Sequence, residues 1–237
     1  MSDLDSSASW PDDFCGSVKL FPLPNLVLFP HVVQPLHIFE PRYCEMLQDA
    51  LASDSMLGMA LLQPGWESNY LERPRLAETV CVGKILSHTP TDDGRHNILL
   101  VGLRRGRIIE EIEDDLPYRS ARIKVTEDSY PLDGDQSRPA RMHRLQQLFS
   151  HFVPEGLAAQ ESFKQLVGKQ LPLGILTDTI SFALNLPLTV KQQLLAEDNV
   201  DIRCRLLIRC LESQIRDESG ASPESSDDGF PPKFSDN

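Results

Sequence analysis

Apolar and polar positions change period along this chain, and the changes mark its elements. Residues 20–43, "LFPLPNLVLFPHVVQPLHIFEPRY", are almost uncharged and carry five prolines. Proline fixes φ and removes a backbone donor, so this run suits short extended pieces with turns rather than a helix. It predicts strands at 17–21 and 26–29, with Pro24-Asn25 turning the chain between them. From Pro41 the apolar positions Tyr43, Met46, Leu47, Ala50 and Leu51 fall at i, i+3, i+4, i+7 and i+8. That spacing is one face of a helix, with Pro41 suited to its first turn.

The next stretch returns to strand patterning. Residues 56–63 read as a strand, 64–76 as a loop, and "VCVGKILS" (80–87) and "NILLVGL" (97–103) as a hairpin around the Asp93-Gly94 turn signal. "GRIIEEIE" (106–113) and "YRSARIKV" (118–125) continue the pattern, with "GLRRGR" expected as the turn before them. Beyond the polar 128–140 stretch the period becomes helical. Met142, Leu145, Leu148, Phe149 and Phe152 form one stripe, Phe163, Leu166 and Val167 suggest another helix, and 173–184 a third. Thr189 is the expected cap of a short helix, and Asp201 of the last, whose stripe is Cys204, Ile208, Leu211 and Ile215. Such stripes on closely connected helices predict a bundle. The pattern alone therefore divides the chain into a sheet or barrel carrying one helix, followed by helices.

Composition refines this picture at the ends. The formal net charge is −12, yet residues 16–216 hold 25 acids and 22 bases, so most of the acidity sits in 1–15 and 217–237. Both ends are rich in Ser, Asp, Pro and Gly and are expected to be disordered. The expected organisation is an acidic tail at 1–15, a β domain at 16–127, a linker at 128–140, a helical part at 141–216 and a second acidic tail at 217–237. Prolines interrupt the apolar run at 20–43, and no other stretch is long enough to span a membrane. Five cysteines at 15, 44, 81, 204 and 210 include no CxxC pair. They suit a reducing cytoplasm, where they would act as small buried hydrophobes.

Catalytic signatures are missing from these 237 residues. There is no GxxxxGK[ST] phosphate loop, GxSxG elbow or HExxH pair, and the six histidines are scattered without metal-ligand spacing. The acids at 110, 111, 113, 114 and 115 crowd into one six-residue run and fan outward, as a solvated strand end would. No enzyme activity, cofactor or metal is expected.

Three stretches resemble the N-terminal domain of Lon-type ATP-dependent proteases. They are "FPLPNLVLFP" with "LHIFEPRY", then "VCVGKI…DDGRHNILLVGLRRGRI…LPYRSARI", and finally "KQQLLAEDNVDIRCRLLIRCL". The resemblance spans about 17–216 and implies an α+β fold: a PUA-like β pseudo-barrel with one inserted helix, followed by a C-terminal α-helical bundle subdomain. In Lon proteases such a domain precedes an ATPase and a Ser–Lys peptidase, helps recognise substrates and helps assemble the oligomer; a similar domain in cereblon docks proteins. By resemblance the chain is expected to be a stand-alone bacterial Lon N-domain protein. It would bind unfolded or apolar protein segments and act with an ATP-dependent protease. His31 departs from the family pattern, which often carries Gly there.

Two sets of residues stand out as candidates. At the strand-to-helix junction, Glu40 and Arg42 flank Pro41. An architectural role would have Glu40 complement the helix dipole and Arg42 pair with a carboxylate or carbonyl on the sheet. A functional role makes Phe39, Arg42 and Tyr43, with Tyr118, the peptide-binding candidates at the rim of a groove. The basic "GLRRGR" segment offers Arg104, Arg105 and Arg107. As PUA-like barrels include RNA binders, an RNA-binding reading stands as an alternative that needs a basic face with stacking rings. The slightly acidic core argues against nucleic acid. An enzyme of unknown type is the third reading, requiring polar groups of perturbed pKa to converge in a pocket.

Overall fold

The computed structural model describes residues 10–12, 14–70, 72–153 and 171–220, without the side chains of 218–220. Six strands form a mixed sheet: β1 (Ser17–Leu23), β2 (Val33–Ile38), β3 (Met56–Leu61), β4 (Thr79–Pro90), β5 (His96–Ile112) and β6 (Arg119–Thr126). Their order is β2-β5-β4-β3-β1-β6, and β5 also pairs with β6. Strands 1, 3, 4, 5 and 6 thereby close a ring, while β2 lies beside it. The ring is uneven because β5 changes partner along its length. Its first residues pair with β2, up to Val101, and its last pair with β6, from Arg105. β1 and β3 run parallel, and α1 (Pro41–Leu51) lies in the connection between them.

Five helices occur among the described residues. After α1 come α2 (Arg138–Ser150), α3 (Leu173–Ala183), α4 (Leu188–Ala196) and α5 (Val200–Gly220). α1 buries Tyr43, Met46, Leu47 and Ala50, four of the five positions its spacing predicts. These join one cluster of buried residues that continues through Leu28, Phe29 and Leu100 to Leu176, Leu194 and Leu211. A second, smaller cluster of Val18, Leu20, Met56, Val80, Val82 and Ile123 comes from β1, β3, β4 and β6. Trp10 and Phe14, whose ring centroids are 4.7 Å apart, pack against that cluster. The tail expected through residue 15 thus contains two anchored rings, because apolar area removed from water outweighs the ordering of a few residues. At the other end, α5 continues to Gly220, past the boundary expected at 216. The helix suggested around 163–167 and the segment 221–237 lie outside the described residues.

Several local expectations are corrected. Residues 26–29 form no strand, although Val27, Leu28 and Phe29 are buried. The strand lies instead at 33–38, where Pro35 is tolerated because β2 is an edge. "GLRRGR" is not a turn: 97–103 and 106–112 belong to the single strand β5. Its glycines mark close approach. A Cβ on Gly106 would stand 2.8 Å from Ile123 Cδ1, and one on Gly102 would overlap the Phe29 carbonyl. Helix starts also differ. α4 begins at Leu188 after Pro187 with no side-chain cap. For α5, the Asn199 carboxamide oxygen accepts from the Asp201 and Ile202 N–H groups at 3.0 and 3.1 Å. That leaves Asp201 free to pair with Arg138 at 2.8 Å and with Arg141. The two guanidiniums hold the Asp201 carboxyl below its usual range even though burial pushes it upward.

The 128–137 stretch is no free linker. It contains a 3-10 turn at Leu132–Ser137, α2 already begins at Arg138, and the Ser129 and Val200 N–H groups donate to Asp198 O and Ser129 O. His31 takes φ +64, the left-handed region that favours glycine. His31→Gly is therefore expected to raise stability by up to about 1 kcal/mol. A urea midpoint that falls would show that the imidazole contributes more than the strain.

Candidate functional site

A concentration of polar and aromatic groups lies where α1 meets the chain entering β6. Pro41 starts α1 after an extended Glu40 (φ −73, ψ 133). Glu40 makes no cap bond. Its carboxylate instead accepts from Arg42 Nε at 3.1 Å and from the Tyr70 hydroxyl. The Arg42 guanidinium sits 4.7 Å from the Tyr43 ring centroid and 4.8 Å from that of Tyr70. Both rings thus lie within cation–π range of the one guanidinium and hold the side chain in place. Burial opposes the Arg42 charge, but Tyr43, Tyr70 and Glu40 together hold its pKa above the ordinary arginine value. Burial likewise pushes the Tyr43 phenol up.

Across from α1 stands the wall Leu116–Arg119. The Tyr118 ring is buried, and its hydroxyl donates to Asp49 on α1 at 2.5 Å. Burial first, then Asp49, raises the Tyr118 phenol. Arg119 is anchored by its fork to Glu111, Nε at 2.7 Å, while its Nη1 donates to Pro74 O at 2.6 Å. Between the walls is a cleft of about 530 Å³ that Arg42, Tyr43, Tyr118 and Arg119 line together with Glu72 and Arg73. Two sides of this cleft are thus rigid, and Leu116, 39% exposed, gives it an apolar lip.

The sequence candidates are distributed unequally. Arg42, Tyr43 and Tyr118 converge on the cleft, whereas Phe39 does not line it. Phe39 is 59% exposed and stacks on His37 with centroids 6.1 Å apart. The three arginines of β5 separate. Arg104 is partly exposed and pairs with Glu127 at 3.7 Å, Arg107 is exposed, and Arg105 is only 3% exposed. Successive side chains of a strand point to opposite faces, which separates Arg104 from Arg105, and burial separates Arg105 from the exposed Arg107, so the run forms no single patch. Arg105 instead donates to Asp178 at 2.6 Å, Asp128 at 3.0 Å and Leu195 O at 2.9 Å. Arg203, fully buried, completes this cluster with Asp128 at 2.7 Å and Asp178 at 3.1 Å.

Sequence reasoning missed Tyr70, Arg73, Arg119 and Glu111 as parts of the site. Glu111 was hidden as one of five clustered acids, and only the β5–β6 register brings it beside Arg119. Among the described residues, no group of three or more His, Cys, Asp or Glu side chains could hold a metal ion. No helix among them is long and apolar enough to cross a membrane.

Residues 17–213 match the family described as the ATP-dependent protease La (LON) substrate-binding domain. The chain belongs to this family. Lon protease of Cytophaga hutchinsonii is 23% identical over 208 residues, which cover 86% of this chain and 25% of that protein. Lon protease of Parabacteroides distasonis is 30% identical over 133 residues, or 56% of this chain and 16% of that protein. The chain spans about a quarter or less of the length of these curated relatives. Among solved structures, the N-terminal domain of Mycobacterium avium complex Lon protease matches with a TM-score of 0.65 and 20% identity. That match covers 83% of this chain and 98% of the other. A Lon N-terminal domain protein from Xanthomonas campestris gives 0.58 and 20%, over 81% and 97%. These likenesses establish the α+β Lon N-terminal fold, and both walls of the cleft lie inside the region matched to the Lon family.

Proposed function

We propose that this Lon-family domain is a non-catalytic module that holds extended segments of unfolded proteins in the cleft between α1 and the Leu116–Arg119 wall. One observation carries the reading: in a chain of a substrate-binding family, Arg42, Tyr43 and Tyr118 from separate elements converge on one cleft with fixed walls. The Arg42 guanidinium offers a charge to a passing segment, Leu116 offers apolar contact, and the buried Tyr43 and Tyr118 back the walls between them. Phe39 lies outside the cleft as an additional apolar contact along the same client. The proposal includes action beside an ATP-dependent protease in the cytoplasm, with no cofactor and no membrane. The RNA reading loses its main support because Arg105 is buried in an ion cluster.

The test uses a labelled, permanently unfolded probe, reduced and carboxymethylated α-lactalbumin, in fluorescence anisotropy with the full chain. Arg42→Ala is expected to weaken binding per folded molecule by roughly tenfold, equivalent to about 1.4 kcal/mol. Phe39→Ser, at an exposed position, is expected to weaken binding while leaving the melting temperature unchanged. A variant Arg42→Ala that melts lower yet binds the probe as tightly would make Arg42 architectural and remove the cleft from the reading.

A further inference from the structure

The far end of the β4–β5 hairpin carries a pair of imidazoles that the cleft does not use. His88 Nε2 and His96 Nδ1 face each other at 2.8 Å, with ring centroids 5.0 Å apart. The β4–β5 register places Pro90 opposite His96 and His88 opposite Ile98, so the two histidines are diagonal neighbours across the ladder. Both rings are half-buried. The geometry points to a two-histidine chelate for a tetragonal divalent transition-metal ion, copper(II) or nickel(II), with water in the remaining positions.

Bite distance carries the argument. Two nitrogens at right angles about a metal, each about 2.0–2.1 Å from it, stand about 2.9 Å apart. A tetrahedral centre would spread them to about 3.4 Å. The observed separation fits the right-angle arrangement, and nitrogen and oxygen donors in tetragonal geometry suit Cu²⁺ or Ni²⁺ over Zn²⁺. The hydrogen-bonded pair can free both facing lone pairs by a change of tautomer. In the hydrogen-bonded pair one facing nitrogen carries a proton. Metal uptake moves that proton to the other nitrogen of the same ring, leaving His88 Nδ1 and His96 Nε2 protonated and both facing lone pairs free. No net proton leaves the pair.

The scaffold for this chelate does not depend on the metal. Thr91 N–H donates to Arg95 O at 2.8 Å, Thr91 Oγ1 donates to Asp93 at 2.5 Å, and Arg95 pairs with Asp93 at 3.1 Å. Arg95 is thus turned to Asp93 at the tip. Substituting either histidine leaves all three of these contacts in place.

The deciding experiment titrates Cu²⁺ into the full chain, followed by electron paramagnetic resonance and by calorimetry. The expected result is one tight equivalent with two equatorial nitrogens, followed by Ni²⁺ and then Zn²⁺ in affinity. His88→Asn and His96→Asn are each expected to weaken that equivalent roughly 100-fold, since each removes the chelate advantage. His37→Asn should leave it unchanged. Affinity that survives both substitutions, or that is lost with His37→Asn, would overturn the assignment. If a variant unfolds, NMR of the unaltered chain decides: Cu²⁺ should broaden the His88 and His96 ring signals first, and broadening centred on His143 or His37 overturns it.

Discussion

Arg105→Ala is expected to lower unfolding stability by about 3–5 kcal/mol, the usual cost of leaving half of a buried ion pair behind. The residue is buried at the meeting of β5, the 128 segment and α3, and its three nitrogens satisfy Asp128, Asp178 and the Leu195 carbonyl. Without it, Asp178 keeps, among the described residues, Arg203 at 3.1 Å, and the Leu195 carbonyl loses this donor. Domains of this kind have a total stability of about 5–15 kcal/mol, so the variant would populate unfolded chains visibly. Arg105→Met with Asp178→Leu removes one charge of each sign and leaves the Arg203–Asp128 pair at 2.7 Å intact. That double variant is expected to recover most of the loss, because apolar replacement of a buried pair is often neutral. Urea melts of the two singles and the double give the coupling directly. A loss below about 1 kcal/mol for Arg105→Ala, the range of an exposed pair, would mean that water replaces the guanidinium and that the cluster does not hold the two parts together. Arg104→Ala, one position away but pairing at 3.7 Å in partial exposure, should cost little.

The second large effect is expected at Gly102. Its N–H donates to Val32 O at 2.9 Å, and its carbonyl accepts from His31 N–H at 2.8 Å. The apolar 26–32 segment is thus laid directly on β5. A Cβ at Gly102 would overlap the Phe29 carbonyl and stand 2.9 Å from Cys81 Sγ. Backbone cannot move aside as a flexible side chain can, so Gly102→Ala is expected to cost about 3 kcal/mol or more. Gly94→Ala provides the contrast: it sits at φ +78 with nothing within 4 Å, and only the left-handed backbone is penalised, at about 1–2 kcal/mol. Equal urea midpoints for the two variants would sink the close-approach account of Gly102.

The apolar pattern determined much by itself. The 3.6-residue spacing from Pro41 located α1 and its buried face, because a helix surface repeats locally and needs no partner to be read. The strands at 56, 80, 97 and 118 were legible for the same reason, as were the stripes of α2, α3 and α5. The three resembling stretches also placed the chain in its family, and Arg42, Tyr43 and Tyr118 were marked before their convergence was visible. Tertiary structure decided the rest. Whether "GLRRGR" turns or continues depends on what lies against Gly102 and Gly106, and those neighbours are Phe29, more than seventy positions away, and Ile123. Burial of Arg105 depends on Asp178 arriving from α3. The cleft needs α1 and the Leu116–Arg119 wall to face each other, and the imidazole pair needs the β4–β5 register. Local periodicity is written in neighbouring residues, whereas close approach, charge pairing and clefts are properties of distant segments brought together, which no window of the sequence contains.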